Sequence, residues 1–274
     1  MIRSNAHIYS VSAQCKILGV ARSSYYAFSE KQVLCEADLE ADIVRIFTAN
    51  RRAYGSRRIR LALQAEGLQV SRRRVSRIMR YLGLVSTHCK PKYQRPKEQV
   101  SESSCPDLLK RDFNNRPARY VFVGDLTYVK VGTKWAYVCL LLDLANREIV
   151  GYSAGARKDA NLVRRAFASF RGDLREVTIF HSDRGSENLN HAIDELLGAF
   201  EISRSVSRKS NPWDNAVAES MWNGFKKEFV RQETFEVIAD LQVKLASYVW
   251  WYNNERLHSS LGYVSPRSYV ARSL

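Results

Sequence analysis

Val177-Thr178-Ile179-Phe180-His181-Ser182-Asp183-Arg184-Gly185-Ser186-Glu187-Asn188 is a β-branched and aromatic run that ends abruptly in an acidic, glycine-containing turn. The pattern predicts a short strand with Asp183 at its carboxyl end, where open α/β sheets usually carry their chemistry. Two other acids can be measured from it: Asp125 lies 57 intervening residues upstream and Glu219 lies 35 intervening residues downstream.

Working outward, Tyr120–Val131 reads as a strand with Gly124-Asp125 in its middle, and Gly132-Thr133 as a hairpin turn. Lys134–Asp143 reads as a second strand, apolar on both faces, and Glu148–Ser153 as a third. A helix is expected over about 159–171, then the strand ending at Ser182, a helix over about 188–199 and a short strand Glu201–Ser205. Ser207–Pro212 is a polar loop, after which Asp214 or Asn215 caps a helix running to about Arg231. A last helix is expected over about 236–252, with Leu241, Leu245, Tyr248 and Tyr252 at helical spacing. Three antiparallel strands followed by alternating helix and strand imply an α/β fold: a mixed sheet with helices on its faces.

Upstream the pattern is helical. Residues 8–28 predict two short helices around a turn at Gly19-Val20, either a small helix-turn-helix or a packing hairpin. Residues 38–84 predict three helices, over about 38–49, 56–66 and from a Ser71 cap to Gly83. In the third, Val75, Ile78, Met79 and Leu82 form one stripe, Arg73, Arg77 and Arg80 form another, and Arg72 and Arg74 stand near the start. Five arginines in nine residues without an acid suit packing on a tri-helical core while touching phosphates. Residues 85–117 are polar, proline-containing and aperiodic, and read as a basic linker whose end is anchored by Leu108-Leu109 and Phe113.

The charge agrees with that division. The 274 residues carry a net +15, pointing to a polyanionic partner. Between Asp38 and Lys97 there are 15 Lys and Arg against 4 Asp and Glu, whereas Ala118 to Arg231 holds 17 against 14. The five cysteines, Cys15, Cys35, Cys89, Cys105 and Cys139, are scattered, odd in number and form no CxxC pair. They fit a reducing cytosol and neither a disulfide framework nor a zinc site. No apolar run is long enough to span a membrane, the start lacks the apolar core of a signal peptide, and the glycine signatures of dinucleotide and P-loop sites are missing. The expected location is the cytoplasm, with no membrane partner.

Asp125, Asp183 and Glu219 together point to chemistry. An acid inside or at the end of a sheet strand is costly unless paired with a cation. Singly, Asp183 could merely cap its turn; the trio, with Glu219 one turn into a helix, is harder to explain that way. Hard oxygen donors suit Mg²⁺, with Mn²⁺ as substitute, and two such ions about 4 Å apart can serve both the attacking and the leaving oxygen of a phosphodiester. Glu187, in the turn, and Glu228 are rival third ligands. Lys226, seven residues after Glu219, shares its helix face and is placed to hold a DNA phosphate. Arg208, Lys209, Arg57, Arg58, Arg72, Arg73, Arg77 and Arg80 complete the candidate DNA contacts.

These residues resemble a known family. Asp183, 35 residues and Glu219, preceded by Gly124-Asp125-Leu126-Thr127-Tyr128, resemble the DD(35)E integrase and transposase core. Several further stretches resemble the OrfB-type catalytic part of insertion-sequence-three family transposases. They are Tyr54-Gly55-Ser56-Arg57-Arg58-Ile59, Asn211-Pro212-Trp213-Asp214-Asn215-Ala216, Tyr252-Asn253-Asn254-Glu255-Arg256-Leu257-His258 and Ser265-Pro266. The resemblance covers roughly residues 8–270. It implies an RNase H-like mixed five-stranded sheet preceded by a small helix-turn-helix-type domain. It also implies Mg²⁺-dependent cleavage at element ends and attack of the freed 3′-hydroxyls on DNA, with Asp125, Asp183 and Glu219 as catalytic metal ligands. The implied partners are double-stranded DNA, as element ends and target, further copies of the chain on that DNA, and an upstream-frame protein or fusion. Phe122 stands where the family often has Trp, and the zinc domain of retroviral relatives is not found. The expected partition is 1–35, an N-terminal helical segment; 36–84, the basic tri-helical domain; 85–117, the linker; 118–232, the catalytic core; and 233–274, the C-terminal helix and tail. A water-using nuclease of the same fold and a non-catalytic DNA-binding regulator are the alternatives.

Overall fold

A computed structural model describes residues 2, 5, 8–22, 25, 30–89, 105–113, 116–183, 185, 187–207 and 216–273, with the backbone alone for 30–35, 216 and 273. The chain divides into two compact units, Met1–Val85 and Ser86–Leu274.

In the first unit, α1 (Val11–Ile17) is capped by Ser10, whose Oγ accepts from Ala13 N at 3.2 Å, and stops before Gly19, which sits at φ +63°. The second short helix expected before residue 28 falls mostly outside the described residues. Three helices follow: α2 (Glu30–Ala49), α3 (Ser56–Ala65) and α4 (Arg72–Tyr81). The first starts earlier than expected, because Glu30, Lys31, Gln32, Leu34 and Glu36 are good helix formers that extend it without adding an apolar period. Their shared core is Leu39, Ile43, Ile46 and Phe47 of α2, Ile59 and Leu63 of α3, and Val75, Ile78 and Met79 of α4. Ser71 caps α4 as expected, its Oγ accepting from Arg74 N at 3.2 Å.

The second unit is built on a five-stranded sheet ordered β3-β2-β1-β4-β5. The strands are β1 (Val121–Val131), β2 (Lys134–Asp143), β3 (Ile149–Gly155), β4 (Ile179–Ser182) and β5 (Ser203–Val206). β1, β2 and β3 are antiparallel, whereas β4 and β5 run parallel to β1, giving the mixed RNase H-like arrangement. β1 is the hinge of this topology, joining the hairpin to the parallel half.

Helices α5 (Ala160–Ala168) and α6 (His191–Ala199), capped by Asp159 and Asn190, carry much of the core. Leu162, Val163, Ala166 and Phe167 of α5 and Ile193 and Leu197 of α6 pack with Phe122, Cys139, Leu141 and Phe180 from the sheet. α7 (Ala216–Phe225) packs on β1, and α8 (Ile238–Asn254) packs on β3. The outermost strand is tied to α8 by amide side chains. Asn253 accepts from Ile149 N and donates to Ile149 O, both at 2.9 Å, and Gln242 donates to Ala154 O at 3.1 Å. A covered edge strand cannot pair with another chain.

Two features differ from the sequence expectation. The helix expected to run regularly to about Arg231 becomes a π-helical turn over Lys226–Val230. The wider turn lets Phe225 and Phe229 both reach Tyr248, each 5.2 Å away between ring centres, while Glu228 is fully buried. The helix over 238–254 is not the last: α9 (Pro266–Ser273) follows, with Pro266 in its first turn, where a missing N–H is harmless. Leu109 anchors the end of the expected linker, 1% exposed, while Leu108 N donates to Ser205 Oγ at 2.9 Å and Val206 N to Pro106 O at 3.1 Å.

Candidate active site

Asp125 and Asp183 reach one another through strand register. β1 and β4 run parallel with Gly124 opposite Ser182, so the next residue on each strand is an aspartate. Parallel strands lie about 4.8 Å apart, which places the two residues side by side at the carboxyl edge of the sheet. Both residues are half-buried. Gly124, beside Asp125, leaves room for a core ring: a Cβ there would stand 2.5 Å from Phe180 Cε2, inside any permitted contact.

The turn after β4 fixes Asp183. Its Oδ1 accepts from Gly185 N and from Asn188 Nδ2, each at 3.0 Å. Capping the turn thus uses one oxygen and leaves the other for a further partner. Asp125 Oδ1 accepts from Leu126 N at 2.7 Å. Glu187 turns inward beneath the same turn, 5% exposed, with its Oε1 3.1 Å from Lys158 Nζ. Gly185 clears room for it, since a Cβ there would meet Glu187 Oε1 at 2.3 Å.

The electrostatics mark where these acids converge. The buried Cys139 thiol, on β2 opposite Leu126, is pushed far up by burial and then by the charges of Asp125, Glu187 and Asp183. Three carboxylates therefore act on one point of the sheet. Glu219 is half-buried in the first turn of α7, the helix that packs on β1. Among the described residues, no three His, Cys, Asp or Glu side chains are gathered closely enough to hold a metal ion as they stand. The register sets Asp125 and Asp183 at adjacent strand positions, and Glu219 comes from the helix packed on β1.

The other candidates divide. Lys226 Nζ lies 5.4 Å from the centre of the Tyr128 ring. Glu228 is an interior ion-pair partner: His88 Nε2 is 2.8 Å from its Oε1, Arg256 Nη2 is 2.8 Å from the same oxygen, and Tyr248 OH donates to Oε2 at 3.2 Å. His181 is fully buried, its Nδ1 2.9 Å from Ser205 Oγ, and supports the sheet beneath Asp183. Arg57, Arg72, Arg73, Arg77 and Arg80 are exposed on α3 and α4, and Arg58 lies 5.5 Å over the Tyr54 ring. Arg77 Nη2 is 2.7 Å from Glu36 Oε1. Arg208, Lys209, Arg184 and the Asn211–Asn215 motif lie outside the described residues.

Sequence reasoning missed Asn188, Lys158 and Arg256. Asn188 closed the decisive stretch without suggesting a partner for Asp183, and nothing in the spacing joins Lys158 to Glu187. Arg256 was visible within the Tyr252–His258 motif, but its partner was not.

Two integrase core domain models match residues 115–212 and 200–266, and an HTH-like domain model matches residues 35–93. The chain is 30% identical over 243 residues to the transposase for insertion sequence element IS904 of Lactococcus lactis subsp. lactis, covering 88% of this chain and 94% of that protein. It is 32% identical over 270 residues to the insertion element IS600 31 kDa protein of Shigella sonnei, covering 93% and 96%. It is 30% identical over 235 residues to the putative transposase InsK for insertion sequence element IS150 of Escherichia coli K12, covering 85% and 83%. Among solved structures, the catalytic core domain of HTLV-2 integrase aligns with a TM-score of 0.44 at 12% identity, covering 55% of this chain and 95% of that one.

Proposed function

Because this chain belongs to the insertion-sequence-three family of transposases, enzymes with an integrase core domain, we propose that it cuts DNA at the ends of its element and joins the freed 3′-hydroxyls to target phosphodiesters. The observation that carries this reading is the pair Asp125 and Asp183, set side by side by the parallel register of β1 and β4. Glu219 supplies the third carboxylate from α7. The donors are all hard oxygens, which fits two Mg²⁺ ions, or Mn²⁺ in their place, better than zinc. When bound, these ions would polarise the phosphodiester and favour the attacking and leaving oxygens.

The chain's own residues set the geometry. Gly185 N and Asn188 hold Asp183 through one oxygen, and Gly124 leaves room for the Phe180 ring that packs over the sheet. Lys226, Arg208 and Lys209 contact DNA near the cut, whereas Arg57, Arg58, Arg72, Arg73, Arg77 and Arg80 engage phosphates from the first unit. In this reading residues 1–35 and 36–84 serve DNA binding, 85–117 link, 118–232 carry the chemistry and 233–274 buttress it. The partners are double-stranded DNA, further copies of the chain and an upstream-frame protein or fusion, in the bacterial cytoplasm. Among the described residues, no helix is long and apolar enough to cross a membrane.

The test is a joining assay with pre-cut element ends, target DNA and Mg²⁺. Joined products that vanish in Asp183→Asn, with DNA binding retained, support the proposal. Cleavage without joining would make the chain a water-using nuclease, and binding alone a regulator.

A further inference from the structure

The turn end of the β1–β2 hairpin carries two large aromatic side chains in water. Tyr128 is 43% exposed and Trp135 is 56% exposed. They are diagonal cross-strand neighbours, Tyr128 paired with Tyr137 and Trp135 with Lys130, so both project from one face of the sheet. Their rings meet edge to face, 5.1 Å apart at 90°. Burying them would remove apolar area from water, yet the protein leaves them out. Cations stand beside them: Lys226 Nζ is 5.4 Å from the Tyr128 ring centre, and Lys130 is exposed on the same face.

The position relative to the carboxylates matters. Tyr128 is three residues along β1 from Asp125 and projects from the opposite face of the sheet, so the link to the carboxylates runs through Lys226, seven residues after Glu219, rather than along the strand. Every nucleobase has a flat face that stacks on an aromatic ring without regard to sequence, and an ammonium group beside the ring suits the adjoining phosphate.

We propose that Trp135, braced by Tyr128, is a stacking platform for an unpaired base of the DNA end. Lys226 and Lys130 hold the phosphates on either side. The platform takes a base released from the duplex rather than a paired one, because only an unstacked base offers its face to the indole. This inference rests on the reading of the chain as a DNA-cutting and DNA-joining enzyme.

The experiment uses the full chain without divalent metal, so that it is independent of the joining chemistry. The probes are a short duplex opened by mismatches over its last few pairs and the same duplex fully paired. Wild type is expected to prefer the opened duplex by on the order of tenfold. Trp135→Ala should remove that preference while keeping its affinity for the paired duplex and its melting temperature, and Trp135→Phe should keep the preference. With 5-iododeoxyuridine placed at successive positions of the opened end, light should cross-link Trp135 or Tyr128 most strongly at one position of the series. No preference in wild type, a preference unchanged in Trp135→Ala, or a loss that follows a lowered melting temperature would overturn the platform. If stacking is found and joining is not, the platform stands and the strand-transfer reading falls.

Discussion

Arg256 and Glu228 form a forked ion pair in the interior of the second unit. Arg256 Nε lies 2.8 Å from Oε2 and 3.1 Å from Oε1 of Glu228, and Nη2 lies 2.8 Å from Oε1. The pair fastens the π-turn after α7 to the chain that leaves α8, and His88 joins it from the segment that opens the unit. Neither residue touches the Asp125–Asp183 edge, so their effect on chemistry passes through the helix that carries Glu219 and Lys226.

Glu228→Gln is expected to destabilise the protein by about 3 kcal/mol at neutral pH, because a buried guanidinium is left without its counter-charge. Urea unfolding measures it. Burial alone would raise the Glu228 carboxyl, but the charge of Arg256 and hydrogen bonds from His88 and Arg256 outweigh burial and hold it well below the usual range. A depressed folded value means that the pair's contribution is complete above the ordinary Glu pKa, about 4.3, and is lost as pH falls from there toward the folded value. The stability gap between wild type and Glu228→Gln should therefore be flat from neutral down to about pH 5 and should narrow only in stronger acid. A gap that narrows between neutral pH and mild acid contradicts the assignment.

Gly124→Ala tests the packing of the Phe180 ring against β1 beside Asp125. The added methyl would sit 2.5 Å from Phe180 Cε2, so the ring or the strand must move. Overpacking of this kind costs about 1–3 kcal/mol. Phe180→Leu should restore part of the loss in the double variant, a coupling that independent sites would not show. Joining activity should follow the same pattern, falling in Gly124→Ala and recovering partly in the pair.

The sheet was legible because its strands announce themselves. β2 is apolar on both faces since it is a central strand, and Gly132-Thr133 gives the hairpin its turn. Asp125 and Asp183 stood out as acids at positions that otherwise read as core. What could not be read were relationships between distant side chains. Glu228 reads as a rival ligand until Arg256 is seen beside it, and the π-turn leaves no trace in a 3.6-residue period. α9 was hidden because Ser265-Pro266 matched a family motif before it could be taken as a helix start.

Asn188→Ala probes the hold on Asp183. Asn188 is 1% exposed and donates from Nδ2 to Asp183 Oδ1 at 3.0 Å. Groups that orient a metal ligand in this way commonly contribute 10–100-fold, roughly, to metal affinity. Mn²⁺ binding followed by calorimetry is expected to weaken by that factor in Asn188→Ala, with circular dichroism showing an intact fold. Unchanged Mn²⁺ affinity would leave Asn188 a turn-closing residue alone.

The arginines of α4 should separate by their partners. Arg77 is committed to Glu36 at 2.7 Å, and Arg74 Nε lies 3.7 Å from the same carboxylate, whereas Arg72, Arg73 and Arg80 make no ion pair among the described residues. A charge already neutralised within the protein releases fewer counterions when it meets a phosphate. Arg73→Ala is therefore expected to weaken DNA binding uniformly across sequences and to lower the slope of log K against log salt by about 0.9. Arg77→Ala should change that slope by less, and Glu36→Ala should raise affinity by freeing two guanidinium groups. Binding titrations over a series of salt concentrations measure all three. Equal slopes for Arg73→Ala and Arg77→Ala would mean that the Glu36 pair opens on DNA, and an unchanged slope in both would remove α4 from the DNA contact surface.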